Sequence, residues 1–170
     1  MRRYNHPNHA RYLTFSTYKG IRLFGSDAIR TVFVDNLVRA CQTHTILLHA
    51  WVLMPNHAHL LVRAPNDGNL TPFLRSLKSG VARALIKRWI ELDAPVLRQI
   101  LDSKQRHRVW QHGGGYDRNI FSAQELDEKI GYIHMNPVRA ELVDRPLDWE
   151  WSSARFWSGE SNARVHCDHP

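Results

Sequence analysis

Apolar and polar positions alternate along residues 12–18 (YLTFSTY), a period of two that predicts a first strand. Residues 27–42 then read as a first helix. A long apolar run follows at 46–54, Pro55 and Asn56 supply turn chemistry, and 57–62 return as a second strand, so a hairpin is expected. On its returning strand His57, His59 and Leu61 share one face, while Ala58, Leu60 and Val62 share the other. Leu70, Leu74, Leu77, Val81 and Leu85 recur at helical spacing and predict a second helix, with Arg75, Lys78, Arg83 and Lys87 on its other side. Residues 109–111 read as a short fourth strand, and Gly113, Gly114 and Gly115 mark a tight or flexible loop after it. A last long helix is opened by Ser122 as N-cap with Glu125 three residues on, and Leu126, Ile130 and Ile133 form its apolar stripe. Pro137 disfavours helical geometry at Asn136, so this helix is expected to end close to Tyr132 and Asn136.

That order predicts an α+β chain with a ferredoxin-like (RRM-like) antiparallel sheet. Two helices would lie on one face, and the added C-terminal helix would cover the histidine face. No internal repeat or low-complexity tract divides the sequence, so residues 1–158 are expected to form one domain and the polar residues 159–170 to fray.

Composition adds a partner class. The 170 residues carry 23 Lys and Arg against 16 Asp and Glu, a net charge of +7, and the pI is near 9.8. A nucleic-acid backbone is the natural complement of such a surface, although many soluble proteins are mildly basic. Cys41 and Cys167 stand alone, without the paired spacing of a zinc site or a disulfide framework. With no signal-like or membrane-length apolar run, a reducing cytoplasm is the expected compartment.

Two constellations carry chemistry. Two imidazoles two residues apart on a strand present nitrogen ligands to one side of the sheet, and a metal satisfies both at once; hydrogen-bonded rim histidines are the commoner case. Tyr132 and Asn136, four apart, lie on one face of a helix, where a tyrosine at a helix–sheet junction and an asparagine cap would be the ordinary readings. The alternating-histidine strand of histidine-triad hydrolases is broken here by Leu61, and the glycine run lacks the lysine and hydroxyl residue of a phosphate-binding loop.

Taken together, WVLMPNHAHLLV and YIHMNPVRAELV, with RYLTFSTY before them, VWQHGGGYDRNI between them and DWEWSSA after them, resemble the single-tyrosine HUH transposases. The resemblance is specifically to the REP-associated tyrosine transposases, and it spans residues 11–154. It implies that His57 and His59 bind a metal, that Tyr132 is the nucleophile and that Asn136 is a further ligand. Magnesium or manganese is implied as the ion, and the substrate is single-stranded DNA bearing a hairpin. The expected product is a 5′-phosphotyrosine link with a free 3′-hydroxyl. A monomer or a homodimer is compatible, the monomer being favoured, in a nucleoid-associated cytoplasmic setting.

Arg118, Arg139 and Arg155, interleaved with aromatic residues, are expected DNA contacts, and Trp110, Tyr116, Trp149, Trp151 and Trp157 are candidates for stacking on unpaired bases. His112 and His134 are secondary candidates for DNA contact or proton transfer. Two other functions fit the pattern: a domesticated hairpin-binding protein without turnover, and an RNA-binding module of RRM type.

Overall fold

A computed structural model describes residues 9–65, 68–113 and 115–170. Its centre is a four-stranded antiparallel sheet in the order β2-β3-β1-β4, made of β1 (Arg11–Ser16), β2 (Leu47–Met54), β3 (His57–Arg63) and β4 (Tyr116–Asn119). Between β1 and β2 runs α1 (Asp27–His44), and α2 (Thr71–Glu91) follows β3. This is the expected ferredoxin-like order, with the hairpin and both helices where the periodicity puts them. The short α3 (Val96–Gln99), α4 (Ala123–Arg139) and short α5 (Ala154–Trp157) complete the helices.

Alternation along the strands sorts the residues into two layers. Leu13, Phe15, Ala58, Leu60 and Val62 are buried on one side of the sheet, where the Phe15 ring meets Phe33 of α1 at 6.4 Å. The predicted stripe Leu74, Leu77, Val81 and Leu85 is buried on α2, together with Leu70 just before it. The helices α1 and α2 cross closely at Gly80, where a Cβ would fall 2.2 Å from Asn36 Oδ1. On the opposite side α4 packs over β2 and β3, burying Leu126, Ile130 and Ile133 as its spacing predicts. That helix begins at Ser122, whose Oγ accepts from Glu125 N at 3.1 Å while Phe121 N donates to the Glu125 carboxylate at 3.0 Å.

The structure corrects three expectations. Residues 109–111 are not the fourth strand proper: Tyr18 N donates to Val109 O at 2.8 Å and Gln111 N to Ser16 O at 2.9 Å, which pairs them only with the end of β1. The ladder resumes one glycine turn later, as Tyr116–Asn119 pairs with residues 11–14. Gly115, at φ 71, sits so close to Thr14 that a Cβ would lie 2.1 Å from its carbonyl oxygen, so the glycine run splits one edge strand in two. Its middle residue, Gly114, lies outside the described residues.

Pro137, secondly, does not stop α4, which runs on to Arg139. The Ile133 carbonyl, which loses its donor at Pro137, lies 3.4 Å from Asn136 Nδ2, and the same amide nitrogen donates to Tyr132 O at 2.8 Å. The tail, thirdly, is not frayed throughout: Val165 and Cys167 are buried, and Asp168 N donates to Leu48 O at 2.8 Å. With the reciprocal bonds of Leu53 to Trp151 and Ser153 to Trp51, both 2.9 Å, the C-terminal segment covers the outer edge of β2, which would otherwise present unpaired backbone groups.

Candidate active site

Register decides what meets on the α4 side of the sheet. His57 lies opposite Ser16, and His59 opposite Thr14, with Tyr12 two residues further along the same face of β1. The two imidazoles stand 4.8 Å apart between centroids, at 82°. Each has its Nδ1 held by the protein: His57 Nδ1 is 2.8 Å from Asn56 Oδ1, and His59 Nδ1 lies 2.7 Å from the Tyr12 hydroxyl and 2.8 Å from Thr14 Oγ1. Burial lowers the pKa of His57. Burial, aided by the neighbouring His57 ring and opposed by a bond to Asn136, takes His59 down to about 3. Both rings are therefore neutral at pH 7, the form that binds metal.

From above, α4 supplies Tyr132 and Asn136. The Tyr132 ring meets His59 edge-on at 6.0 Å and Tyr12 at 6.1 Å, and the residue remains 39% exposed. Because the Asn136 amide nitrogen is spent on Tyr132 O, its carbonyl oxygen is the group left to face His59. Lys129 Nζ lies 5.4 Å from the Tyr132 ring centroid and Arg139 Cζ 4.7 Å from it, so two cations flank the phenol.

The donor set left open is then an Nε2 from each histidine and one amide oxygen, all neutral. Such a set fits a divalent ion: it supplies no charge to cancel the cation's own, and two imidazoles suit manganese better than an all-oxygen ion. Among the described residues no group of three or more His, Cys, Asp or Glu side chains gathers as a metal site. Burial raises the thiols of Cys41 and Cys167 to about 12.

A model of the family described as "Transposase IS200 like" matches residues 13–135, most of the chain, and takes in His57, His59 and Tyr132. The chain belongs to the IS200-like transposase family. A Haemophilus influenzae protein named a REP-associated tyrosine transposase is 29% identical over 119 residues, covering 68% of this chain. The chain spans 62% of the length of that relative. Among solved structures, a REP-associated tyrosine transposase bound to a REP hairpin superposes with a TM-score of 0.72 at 18% identity, over 99% of this chain and 91% of that one. A transposase from Deinococcus radiodurans R1 gives 0.51 at 16% identity, over 78% and 93%. At such identities these two report the fold, and the fold is that of this transposase type.

Other sequence candidates separate. Arg139 joins the site, and Arg118 stands opposite Tyr12 on β4 and pairs with Glu125 at 2.6 Å. Arg155 does not join it: its guanidinium donates to Leu147 O at 3.0 Å and pairs with Glu160 in the C-terminal segment. His134 faces the β2 side, 2.9 Å from Ser153 Oγ, and burial brings it down to about 4. His112 is exposed and has no described partner at the histidine pair.

Three of the tryptophans are structural hydrogen-bond donors: Trp110 to Lys78 O at 2.8 Å, Trp149 to Leu53 O at 3.1 Å, and Trp157 to His49 O at 2.9 Å. Trp151 is buried against Arg164. Only Tyr116 among the proposed stacking rings is left substantially open, at 47%. Among the described residues, α4 packs over β2 and β3 and Tyr12 is buried, whereas an RRM-type RNA binder presents an open aromatic sheet.

Sequence reasoning passed over Tyr12, Thr14 and Lys129. The first two were within reach, because β1 alternation sets them on one face, but only the pairing register brings that face to His59. Lys129 lies three residues before Tyr132 on α4 and was hidden among the solvent-facing charges of that helix.

No helix is long and apolar enough to cross a membrane among the described residues.

Proposed function

We propose that the chain is a single-tyrosine DNA transesterase that cleaves and rejoins single-stranded DNA beside a hairpin. The observation that carries the reading is the meeting of a half-open tyrosine with a pair of neutral, oriented histidines and an amide oxygen, beneath two cations. The phenolic oxygen of Tyr132 attacks the phosphorus, the new phosphorus–oxygen bond replaces the bond to the 3′ oxygen, and the phenolic proton is accounted for on the departing 3′-hydroxyl. The link is a 5′-phosphotyrosine, an ester that the free 3′-hydroxyl can reverse, so rejoining needs no nucleotide cofactor.

His57, His59 and Asn136 would hold a magnesium or manganese ion, which supplies Lewis-acid polarisation of the scissile phosphate when bound. Asn56 and the Tyr12–Thr14 hydroxyls hold the two imidazoles in place. Lys129 and Arg139 attract the phosphate toward Tyr132 and offset charge on its oxygen. Arg118 and Tyr116, on the neighbouring edge strand, are suited to the backbone and to an unpaired base of the flanking strand. That the solved relative is bound to a REP hairpin supports a hairpin as the recognised element.

Incubation with a labelled hairpin oligonucleotide carrying a single-stranded flank, with manganese, should give an adduct that survives denaturant. The fully paired duplex of the same sequence should give none. A tight complex on the hairpin with no adduct under any divalent ion would leave a binding protein without turnover as the function.

A further inference from the structure

On the face of α1 and α2 that is turned away from the sheet, two clefts of about 480 Å³ and about 590 Å³ share Ser76 and Arg83 in their walls and so run together as one trough. The two helices approach closely at its floor because position 80 is glycine, where a Cβ would overlap the Asn36 side chain. Arg39 from α1 and Arg75, Arg83 and Lys87 from α2 line the trough, and all four are exposed. Arginines elsewhere, Arg11, Arg108, Arg118 and Arg164 among them, are held by carboxylates. Those of the trough are not: Arg39, Arg75 and Arg83 have no ion pair and no side-chain hydrogen bond among the described residues, and Asp35 is the one carboxylate among those lining it. Lys87 comes within 3.9 Å of Glu91 at the surface. Lys78, on the same helix, lies over the Phe15 ring instead, 5.4 Å from its centroid.

Cations gathered on one surface without balancing carboxylates attract a polyanion. Positions 75, 79, 83 and 87 recur every four residues and share one face of α2, which puts Arg75 and Arg83 about 12 Å apart along the axis and Lys87 about 6 Å further on. The major groove of B-DNA is roughly 12 Å wide, so the two guanidiniums can reach phosphates on either side of it. Among the described residues no Phe, Tyr or Trp ring lines the trough, so unlike the Tyr132 side of the sheet it offers unpaired bases nothing to stack on. Paired nucleic acid, whose bases are already stacked and whose phosphates face outward, fits such a surface, and in a chain of a transposase family that duplex is DNA. We propose that the trough is a second DNA site: it holds the phosphates of a duplex, while the α4 side of the sheet works on a single strand. The second half of that statement rests on the transesterase reading, and the first half does not. The sheet separates the two surfaces, so both can be filled at once, and one copy of the protein can carry a hairpin substrate together with a separate duplex.

A labelled blunt duplex, with no hairpin and no single-stranded end, titrated with the intact protein in fluorescence anisotropy tests this in two steps. Protein already saturated with unlabelled hairpin oligonucleotide should bind the duplex with a Kd within about a factor of two of that of the free protein, as independent sites do. Displacement of the duplex by the hairpin would overturn the proposal, because one surface would then serve both, and so would tighter binding of an RNA duplex of the same sequence. In the second step, Arg39→Ala, Arg75→Ala and Arg83→Ala together should weaken duplex binding at low salt by more than about tenfold and make the log–log salt slope shallower by about 0.9 for each arginine removed. Adduct formation on the hairpin substrate should stay within about a factor of two of wild type in that variant. Arg39→Lys, Arg75→Lys and Arg83→Lys together keep the charge and should retain most of the slope, which separates lost phosphate contacts from lost folding. An unchanged slope in the alanine variant, or a loss in the lysine variant as large as in the alanine one, would overturn the proposal. If the wild-type protein makes no adduct, the transesterase reading fails, whereas the duplex titrations still decide the role of the trough.

Discussion

Acidification should destabilise this protein well before its carboxylates titrate. His59 is held down to about 3 and His134 to about 4, in both cases chiefly by burial. An unfolded histidine titrates near ~6.5. Folded values below the unfolded one mean that the unfolded chain takes up protons first. The stabilisation is therefore complete above roughly pH 6.5 and is lost as the pH falls toward the folded values. At pH 5 each ring contributes a loss of about 2 kcal/mol relative to pH 7, or about 4 kcal/mol for the pair, from the free energy of protonating the unfolded side chains. His49 and His57, also lowered by burial, act in the same direction.

Against a typical total of about 5–15 kcal/mol this is a large fraction. Urea unfolding followed by tryptophan fluorescence, without metal, should show it. With a slope of about 2 kcal/mol per molar urea, the midpoint should fall by about 2 M between pH 7 and pH 5. His134→Gln should shrink that pH dependence by about half, whatever it does to stability at pH 7. A midpoint that is the same at both pH values would refute the account of neutral, buried histidines on which the ion site depends.

Other outcomes follow from the same contacts. Arg11 and Asp117 pair at 3% and 5% side-chain exposure, so Asp117→Ala, which removes the carboxylate from a buried guanidinium, should cost about 3–5 kcal/mol in urea unfolding; a loss under about 1 kcal/mol would contradict it. Replacing His57 and His59 together by alanine should abolish manganese binding in calorimetry, while Asn136→Ala only weakens it; equal effects would remove the distinction between ring and amide ligands. Anisotropy titrations of hairpin DNA at several salt concentrations should give a log–log slope that becomes shallower by about 0.7 in Arg139→Ala, one phosphate contact fewer on a single strand. An unchanged slope would take Arg139 away from the backbone.

Much of the fold was legible because the strands and helices bury their residues at the spacing that defines them. Leu74, Leu77, Val81 and Leu85, and later Leu126, Ile130 and Ile133, are core where period alone puts them. What period does not carry is pairing between distant segments. Residues 109–111 have strand character and do pair with β1, but the choice of Tyr116–Asn119 as the longer ladder depends on a glycine turn whose backbone approaches Thr14. Asn136 stays helical before Pro137: the local rule for the residue before proline takes no account of a side-chain amide able to reach the freed Ile133 carbonyl. The same limit governs the site. His57, His59, Tyr132 and Asn136 announced themselves by motif and do meet in space. Tyr12 and Thr14 needed the strand register, and composition does not distinguish an exposed ring from the buried Trp110, Trp149 and Trp151, nor a free side chain from Arg155 and Trp157, which donate to backbone carbonyls.

The central claim is that Tyr132 becomes bonded to the 5′ phosphate of the cleaved strand. Hairpin oligonucleotide labelled on the 3′ side of the cleavage point, incubated with protein and manganese and then digested with protease, allows the modified peptide to be sequenced by mass spectrometry. The account predicts the nucleotide mass on the α4 peptide at Tyr132, and no adduct from Tyr132→Phe even though that variant still binds the hairpin. A label on Tyr116 or Tyr12, or an adduct that persists in Tyr132→Phe, would contradict it.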